Sequence, residues 1–405
     1  MDESGNSTAD LKAVTLRLLA YCEANGWAGH DPYDALNSAL FNRVPFLDSR
    51  IPRLVLTQAL KRAPFNVRPL LAVPKTQNPK GLALFLSSFI KLSRLGLLPQ
   101  SDSDPVRTMA DKITALRSSD ARYWTWGYSF PWQTRTIVVP RGTPNLVCTT
   151  FVAGALLDAY EACGEARYLE MAASAADYIV RELLWTEGDS VASLNYPLPT
   201  SRSLIHNANI LGSALLCRVA RLTGQDRYVE PALKVARYSA GRQAGDGSWV
   251  YGELPKQRWI DNFHTGYNLC GLRSICRDAQ TAEFEPHIRR GFEFYLAHFY
   301  REDGAARYFH DSTYPIDIHS VAQGIITPLV LKDLHPGNSR LARSACDWAM
   351  KNLWDESGFF YYRALRFLKV KISYMRWSQA WMLLALSTLL EDARTASNQP
   401  AAKQK

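Results

Sequence analysis

A chain of 405 residues with 47% hydrophobic side chains can bury a large core. Its formal charge of +9 comes without any long Lys/Arg run, which argues against a nucleic-acid partner. Seven cysteines, an odd number with no Cys-x-x-Cys, argue against a disulfide framework and a structural zinc site.

The N-terminus, "MDESGNSTADLKAV", is acidic and polar and lacks the basic, apolar pattern of a signal peptide. A first amphipathic helix is expected over Asp10–Asn25. "HDPYDALNS", residues 30–38, reads as a turn entering a short helix. Its Asp31, Tyr33 and Asp34 either cover a cavity mouth or pack. The most apolar stretch, "GLALFLSSFIKLSRLGLL", is broken by Lys91 and Arg94, so no membrane span is expected there. In "SDSDPV", Asp104 before Pro105 reads as a helix cap and first helical residue rather than a metal-binding Asp-x-Asp. Further on, "TTFVAGALLDAY", "NANILGSALLCRVA", "TGYNLCGLRSI", "SVAQGIITPLVL" and "SQAWMLLALSTLL" are apolar on most faces, as buried helices are. Cys148, Cys217 and Cys270 fall in these runs and behave as small core residues. Arg363, Arg366, Lys369, Lys371 and Arg376 form one basic cluster, either a solvated face or an attractor of an anionic ligand.

Between the apolar helices lie one-sided, charged ones, and the pair repeats. "GEARYLEMAASAADYI" from Gly164 is followed 60 residues later by "GQDRYVEPALKVARYS" from Gly224. "AEFEPHIRRGFEFYLAHF" and "SRLARSACDWAMKNLW" continue the series at spacings of 56 and 57. Closing turns recur as "GDGSWVYG", "EDGAARYF" and "DESGFFYY", with Gly247, Gly304 and Gly358 suited to positive φ. The aromatics after them suggest a short β-like excursion. "NPKGLALFLSSFIKL" with "DPVRTMADKITAL" supplies one more pair, giving six inner helices, five outer partners, and the N-terminal helix to close the ring. The expected fold is all-α, an (α/α)6 toroid forming one domain over 1–392, with a disordered tail over 393–405.

In such a ring the loops entering the inner helices open at one end. His206, His264 and His319 occupy similar places in successive units, 58 and 55 residues apart, and are expected to face one cavity. Asp261, Asn262 and Asp317 are good helix caps, which explains part of their presence. Three chemistries fit this rim. Proton abstraction beside a sugar carbonyl or carboxylate needs two near-neutral bases, which His264 and His319 supply, with Arg376 holding the anion. Glycoside hydrolysis needs two carboxylates, for which Asp261 and Asp317 are the candidates. Lyase chemistry needs a base and a charge-neutralising group, for which Tyr374 with Arg376 or His264 serves. Trp126, Trp132, Trp249, Trp259, Trp377 and Tyr267 are expected to stack on sugar faces. His206, Gln133, Asn207, Asn209, Asn262, Gln323 and Gln379 are expected to bind hydroxyls. No Gly-rich phosphate loop, His-Glu-x-x-His or nucleophile elbow occurs, so no cofactor or metal is called for.

The inner/outer repeat and the "GDGSW" turn resemble the six-hairpin glycosidase superfamily. Its relatives include the N-acylglucosamine and cellobiose 2-epimerases, the unsaturated glucuronyl hydrolases and the glucuronyl C5-epimerase C-terminal domain. More closely, "WTWGYSFPWQTR", "DNFHTGY", "PIDIHSVAQ" and "RWSQAWM" look like a bacterial family of exopolysaccharide and capsule synthesis genes, the VpsJ type. The resemblance implies a carbohydrate ligand in the ring. In the 2-epimerases two ring histidines and an arginine transfer the proton, and His264, His319 and Arg376 are chemically similar. Terpene and lanthionine cyclases share the toroid, but the acid motif of the first and the Cys/His zinc set of the second are missing. The reading is a cytoplasmic enzyme of surface-polysaccharide assembly acting on an anionic sugar or oligosaccharide, an epimerase or isomerase ahead of a hydrolase or lyase. A glycan-binding scaffold among polysaccharide-assembly proteins, or a purely structural toroid, is the alternative.

Overall fold

A computed structural model of the chain describes residues 3–98, 104–119, 122–134 and 137–397. Six inner helices are α3 (Pro79–Arg94), α5 (Leu146–Cys163), α7 (His206–Thr223), α9 (Asn262–Asp278), α11 (Ile318–Val330) and α13 (Trp381–Ser397). Each packs on the next, and α13 packs back on α3, so the ring is closed. Outside it run α4 (Pro105–Ala115), α6 (Ala166–Tyr178), α8 (Val229–Ala240), α10 (Glu285–Phe299) and α12 (Asn338–Leu353), with α1 (Glu3–Ala24) against α13. This is the (α/α)6 toroid that the repeat implied. Helix α1 starts earlier than expected, and α13 continues five residues past the expected boundary at 392. The rest of that tail lies outside the described residues. By length and composition α5 is apolar enough to cross a membrane, yet it is a largely buried inner helix packed on α3, α6 and α7. Asp104 accepts the Val106 N–H ahead of Pro105 and caps α4, as its spacing indicated.

The recurrent glycines stitch the units together. Gly247, Gly304 and Gly358 have φ of +90°, +88° and +93°, a conformation that L side chains avoid. A Cβ on Gly247 would meet the carbonyl of Arg290 on α10. On Gly304 it would meet Ser344 on α12, and on Gly358 the carbonyl of Arg17 on α1. Each closing turn therefore lies against the backbone of the next outer helix, and the last one seals the circle onto α1. The β-like excursions are brief. The clearest is a hairpin of β1 (Trp354–Asp355) and β2 (Phe359–Phe360).

One insertion breaks the pattern. Between α1 and α3, residues 28–78 fold over the end of the ring and carry α2 (Arg50–Arg62). Gly29 passes so close to Met375 that a Cβ would fall 2.6 Å from the methionine Cβ. Only glycine allows this approach between insertion and final unit.

Candidate active site

The N-terminal ends of the inner helices surround one mouth. Four are capped by side chains: Asn78, Asn145, Asp261 and Asp317 each accept a backbone N–H two or three residues on. Helix α7 begins after Ile205, and a π-helical turn, Met375–Ala380, leads from Tyr374 into α13. Counted from these starts, His206 is the first residue, His319 the second and His264 the third. His264 and His319 both pack against the Phe263 ring, at 4.2 and 4.5 Å, whereas the His206 ring lies beside Tyr238 at 6.4 Å. The expectation that all three rings share one cavity is therefore corrected for His206.

His206 is fully buried, with Nε2 3.0 Å from Glu253 Oε1 and Nδ1 3.4 Å from Ser239 Oγ. His319 is also buried, stacked between Phe263 and Trp381 at 4.5 Å from each ring. Its Nε2 lies 2.6 Å from the Tyr267 hydroxyl, and its Nδ1 has no hydrogen-bond partner. Burial, reinforced by Lys80 and Arg376, holds His319 well below the usual histidine range, so it is a neutral ring. His264 differs: its side chain is 20% exposed at the mouth.

The His264 ring is fixed by Asp261. Asp261 Oδ1 accepts the His264 backbone N–H at 2.9 Å, and Oδ2 lies 2.8 Å from His264 Nδ1. Oδ2 also accepts Trp259 Nε1–H at 2.9 Å. A carboxylate on Nδ1 places the proton there and leaves Nε2 as a free base. Asp261 thus has its oxygens committed. Asp317 is buried likewise, with Oδ1 accepting from the His319 N–H and from Trp377 Nε1, both at 2.9 Å. Burial pushes its pKa up to about 6. Two carboxylates engaged in this way are poorly placed for hydrolysis.

Arg376 does not wait for an anion. It forms a bidentate pair with Asp31 of the insertion, at 2.6 and 2.8 Å, both side chains buried. Tyr374 is buried too, and its hydroxyl accepts from Arg68, which is paired with Asp34. Both residues anchor the insertion, which answers the question raised by "HDPYDALNS": Asp31 and Asp34 pack. Tyr33 alone reaches over the mouth. Its ring lies 5.5 Å from Trp377, its hydroxyl accepts from Lys61 Nζ at 2.9 Å, and it is within electrostatic reach of Tyr196, Tyr251, Tyr308 and Tyr362.

The cation that sequence reasoning missed is Lys80, the second residue of α3 and thus level with His319 and Arg376. It is buried, with Nζ 4.0 Å above Phe151 and within 5.5 Å of the Tyr267 and Trp381 rings. Among the described residues no carboxylate pairs with it. Burial, with Arg376 adding repulsion, holds it well below the ordinary lysine range. Its signal was one charge at the start of an otherwise apolar helix. The sequence reading also missed a tyrosine in each closing turn. Tyr251, Tyr308 and Tyr362 stand four residues after Gly247, Gly304 and Gly358. Burial raises their hydroxyls' pKa values, so they are neutral donors.

Several expected ligand contacts belong to the packing instead. Trp126 and Trp249 are fully buried and donate to the carbonyls of Ile113 and Ser239. Asn209 ties Leu194 and Ser193, and Asn262 accepts from Tyr295. Gln323 binds Thr327, Gln379 clamps both backbone groups of Phe360, and Gln133 closes its own hairpin on Thr134 and Ile137 while accepting from Arg53. Asn207 is buried with its Oδ1 unpaired. The exceptions lie around the mouth: Trp132 is half-buried, its Nε1 itself enclosed and without a partner, and Trp259 stacks on Tyr251 at 4.4 Å beside His264. Trp377 and Tyr267 are buried neighbours of His319. Space against these groups is small. It is about 10 Å³ beside Arg376 and next to none beside Asp261 and His264, so a ligand reaches His264 from the open side.

No family model matches the chain, and no curated protein does. Solved structures share its fold. An alpha-mannanase of family 76 from Bacteroides thetaiotaomicron superimposes with a TM-score of 0.61 at 13% identity, over 81% of this chain and 90% of its own. A polysaccharide lyase gives 0.59 at 10% identity, over 98% and 100%. The cellobiose 2-epimerase of Spirochaeta thermophila gives 0.57 at 15%, over 80% and 87%. At these identities the likeness is one of architecture: the chain is an (α/α)6 toroid.

Proposed function

We propose that the chain is a carbohydrate-active enzyme that begins by removing a proton beside a carbonyl or carboxylate of an anionic sugar, and acts as an epimerase or isomerase. One observation carries this reading: the Asp261–His264 pair, with Nδ1 held at 2.8 Å and the ring exposed at the mouth. His264 Nε2 takes the proton. Tyr267, its hydroxyl backed by His319 Nε2, returns one from another side. Lys80 binds the substrate anion, the role that Asp31 denies to Arg376. The mouth tyrosines and Trp259 hold hydroxyls and sugar faces.

The fold neighbours support carbohydrate as the ligand class, since they are an epimerase, a mannanase and a polysaccharide lyase. The motif resemblance supports a place in exopolysaccharide or capsule synthesis, with the cytoplasm as its compartment. Lyase action is the second reading, favoured by the tyrosines that would protonate a leaving oxygen. Incubation with uronate-containing oligosaccharides in deuterated water separates the readings. Solvent deuterium at a sugar carbon with the chain length intact supports epimerisation. Unsaturated ends indicate a lyase, and new reducing ends without deuterium indicate a hydrolase. Binding with none of these makes the chain a glycan-holding scaffold.

A further inference from the structure

Among the described residues twelve large apolar side chains stand exposed, and eight of them lie in just two segments, 40–70 and 367–368. In the first, α2 is turned inside out. Its outward stripe is Ile51, Val55, Ala59 and Arg62, at helical spacing, with Ile51 73% and Val55 62% exposed. In the second, the hairpin of β3 (Arg363–Ala364) and β4 (Lys369–Val370) holds Phe367, 87% exposed, and Leu368 at its tip. The two segments adjoin. Arg363 donates to the Lys61 carbonyl at 3.1 Å, and a cleft of about 480 Å³ lies between Phe65 on one side and Lys369 and Lys371 on the other.

We infer that this face, the outer stripe of α2 with Phe65 and the 363–371 hairpin, docks on the surface of a bilayer rich in anionic phospholipid. Charge selects the occupant. The hairpin carries Arg363, Arg366, Lys369 and Lys371 without an acid, and in 40–71 the single carboxylate, Asp48, is taken by Arg53. A second copy of the chain would set these cations against themselves. A soluble polyanion would match the charge but leaves the protruding Phe367, Leu368, Ile51 and Val55 without purpose. Apolar tips ringed by cations are what an anionic membrane interface accommodates: the rings enter the acyl boundary, and the lysines of the cleft meet phosphate. The basic cluster of the sequence is thereby divided, Arg376 inside the ring and the other four on this face.

The test is flotation of the full chain with vesicles of phosphatidylcholine alone, and with about one third phosphatidylglycerol added. The wild type is expected to float only with the anionic vesicles. Phe367→Ser with Leu368→Ser, at an exposed tip where folding is unaffected, should weaken binding by about tenfold or more. Arg366→Glu should weaken it by roughly fivefold or more, an effect that fades at high salt. Ile51→Ser with Val55→Ser is the independent second variant, and circular dichroism checks its fold. Absence of flotation, or flotation that both apolar variants retain, overturns the inference. So does a concentration-dependent dimer that the same substitutions dissolve, or equal retention of wild type and Phe367/Leu368 variant on soluble alginate without vesicle binding.

Discussion

Replacing Lys80 by Met should make the protein more stable while disabling it. The ammonium is buried over Phe151 at 4.0 Å and has no ion-pair partner. Losing the cation–π contact costs up to about 2 kcal/mol. Relieving the burial of an unpaired charge returns several kcal/mol. Met fills nearly the same volume, so the net gain should be about 1–3 kcal/mol. The sign with pH follows from the depressed lysine pKa. The unfolded chain keeps a proton that the folded one gives up, so wild-type stability rises with pH between the folded pKa and about 10.4. The advantage of Lys80→Met should therefore be larger at pH 6 than at pH 9. Urea denaturation of both proteins at the two values measures it, and turnover on anionic oligosaccharide should fall sharply in the variant. A variant less stable by more than about 2 kcal/mol at both values would show that Lys80 is a satisfied structural group and refute the reasoning.

His264→Gln should lower turnover by about 10²–10⁴-fold with little change in melting, and Asp261→Asn should shift the pH–rate profile by freeing the ring tautomer. Tyr33→Ala should uncover the mouth and lower KM for longer oligosaccharides; an unchanged KM across chain lengths would deny Tyr33 a covering role. Gly304→Ala forces a side chain at φ +88° toward Ser344 and should cost on the order of 1–3 kcal/mol, read by denaturation. Asp317 has its folded pKa raised to about 6 by burial. Its contribution is therefore full below the unfolded pKa of about 3.9 and lost as pH rises through 6. Asp317→Asn, which can still cap α11, should gain on wild type across pH 4–6 by roughly 2–3 kcal/mol, seen as the difference between two stability-against-pH curves.

The ring was legible because its units repeat. Small-residue helices alternate with one-sided ones, and Gly247, Gly304 and Gly358 recur in step and share one backbone conformation. Aim within the mouth was not. His206, His319 and His264 look equivalent at a spacing near 57, yet a slip of one residue turns a helical side chain by about 100°. Pairing across the chain was hidden as well. Arg376 and Asp31 are 345 residues apart, so nothing local announced that the arginine was already neutralised. Lys80 stood in plain view, but the apolar run around it read as core. The recurring tyrosines were seen as strand formers, because their position four residues past each glycine acquires meaning only once the ring is closed.

The central claim is that His264, held by Asp261 at a mouth built from all six units, moves a substrate proton. Solvent-deuterium incorporation, followed by NMR on uronate-containing oligosaccharides with wild type and His264→Gln side by side, tests it most directly. Label entering a sugar carbon with the wild type and failing to enter with an equally folded His264→Gln is the predicted result. Equal incorporation by both proteins would contradict it.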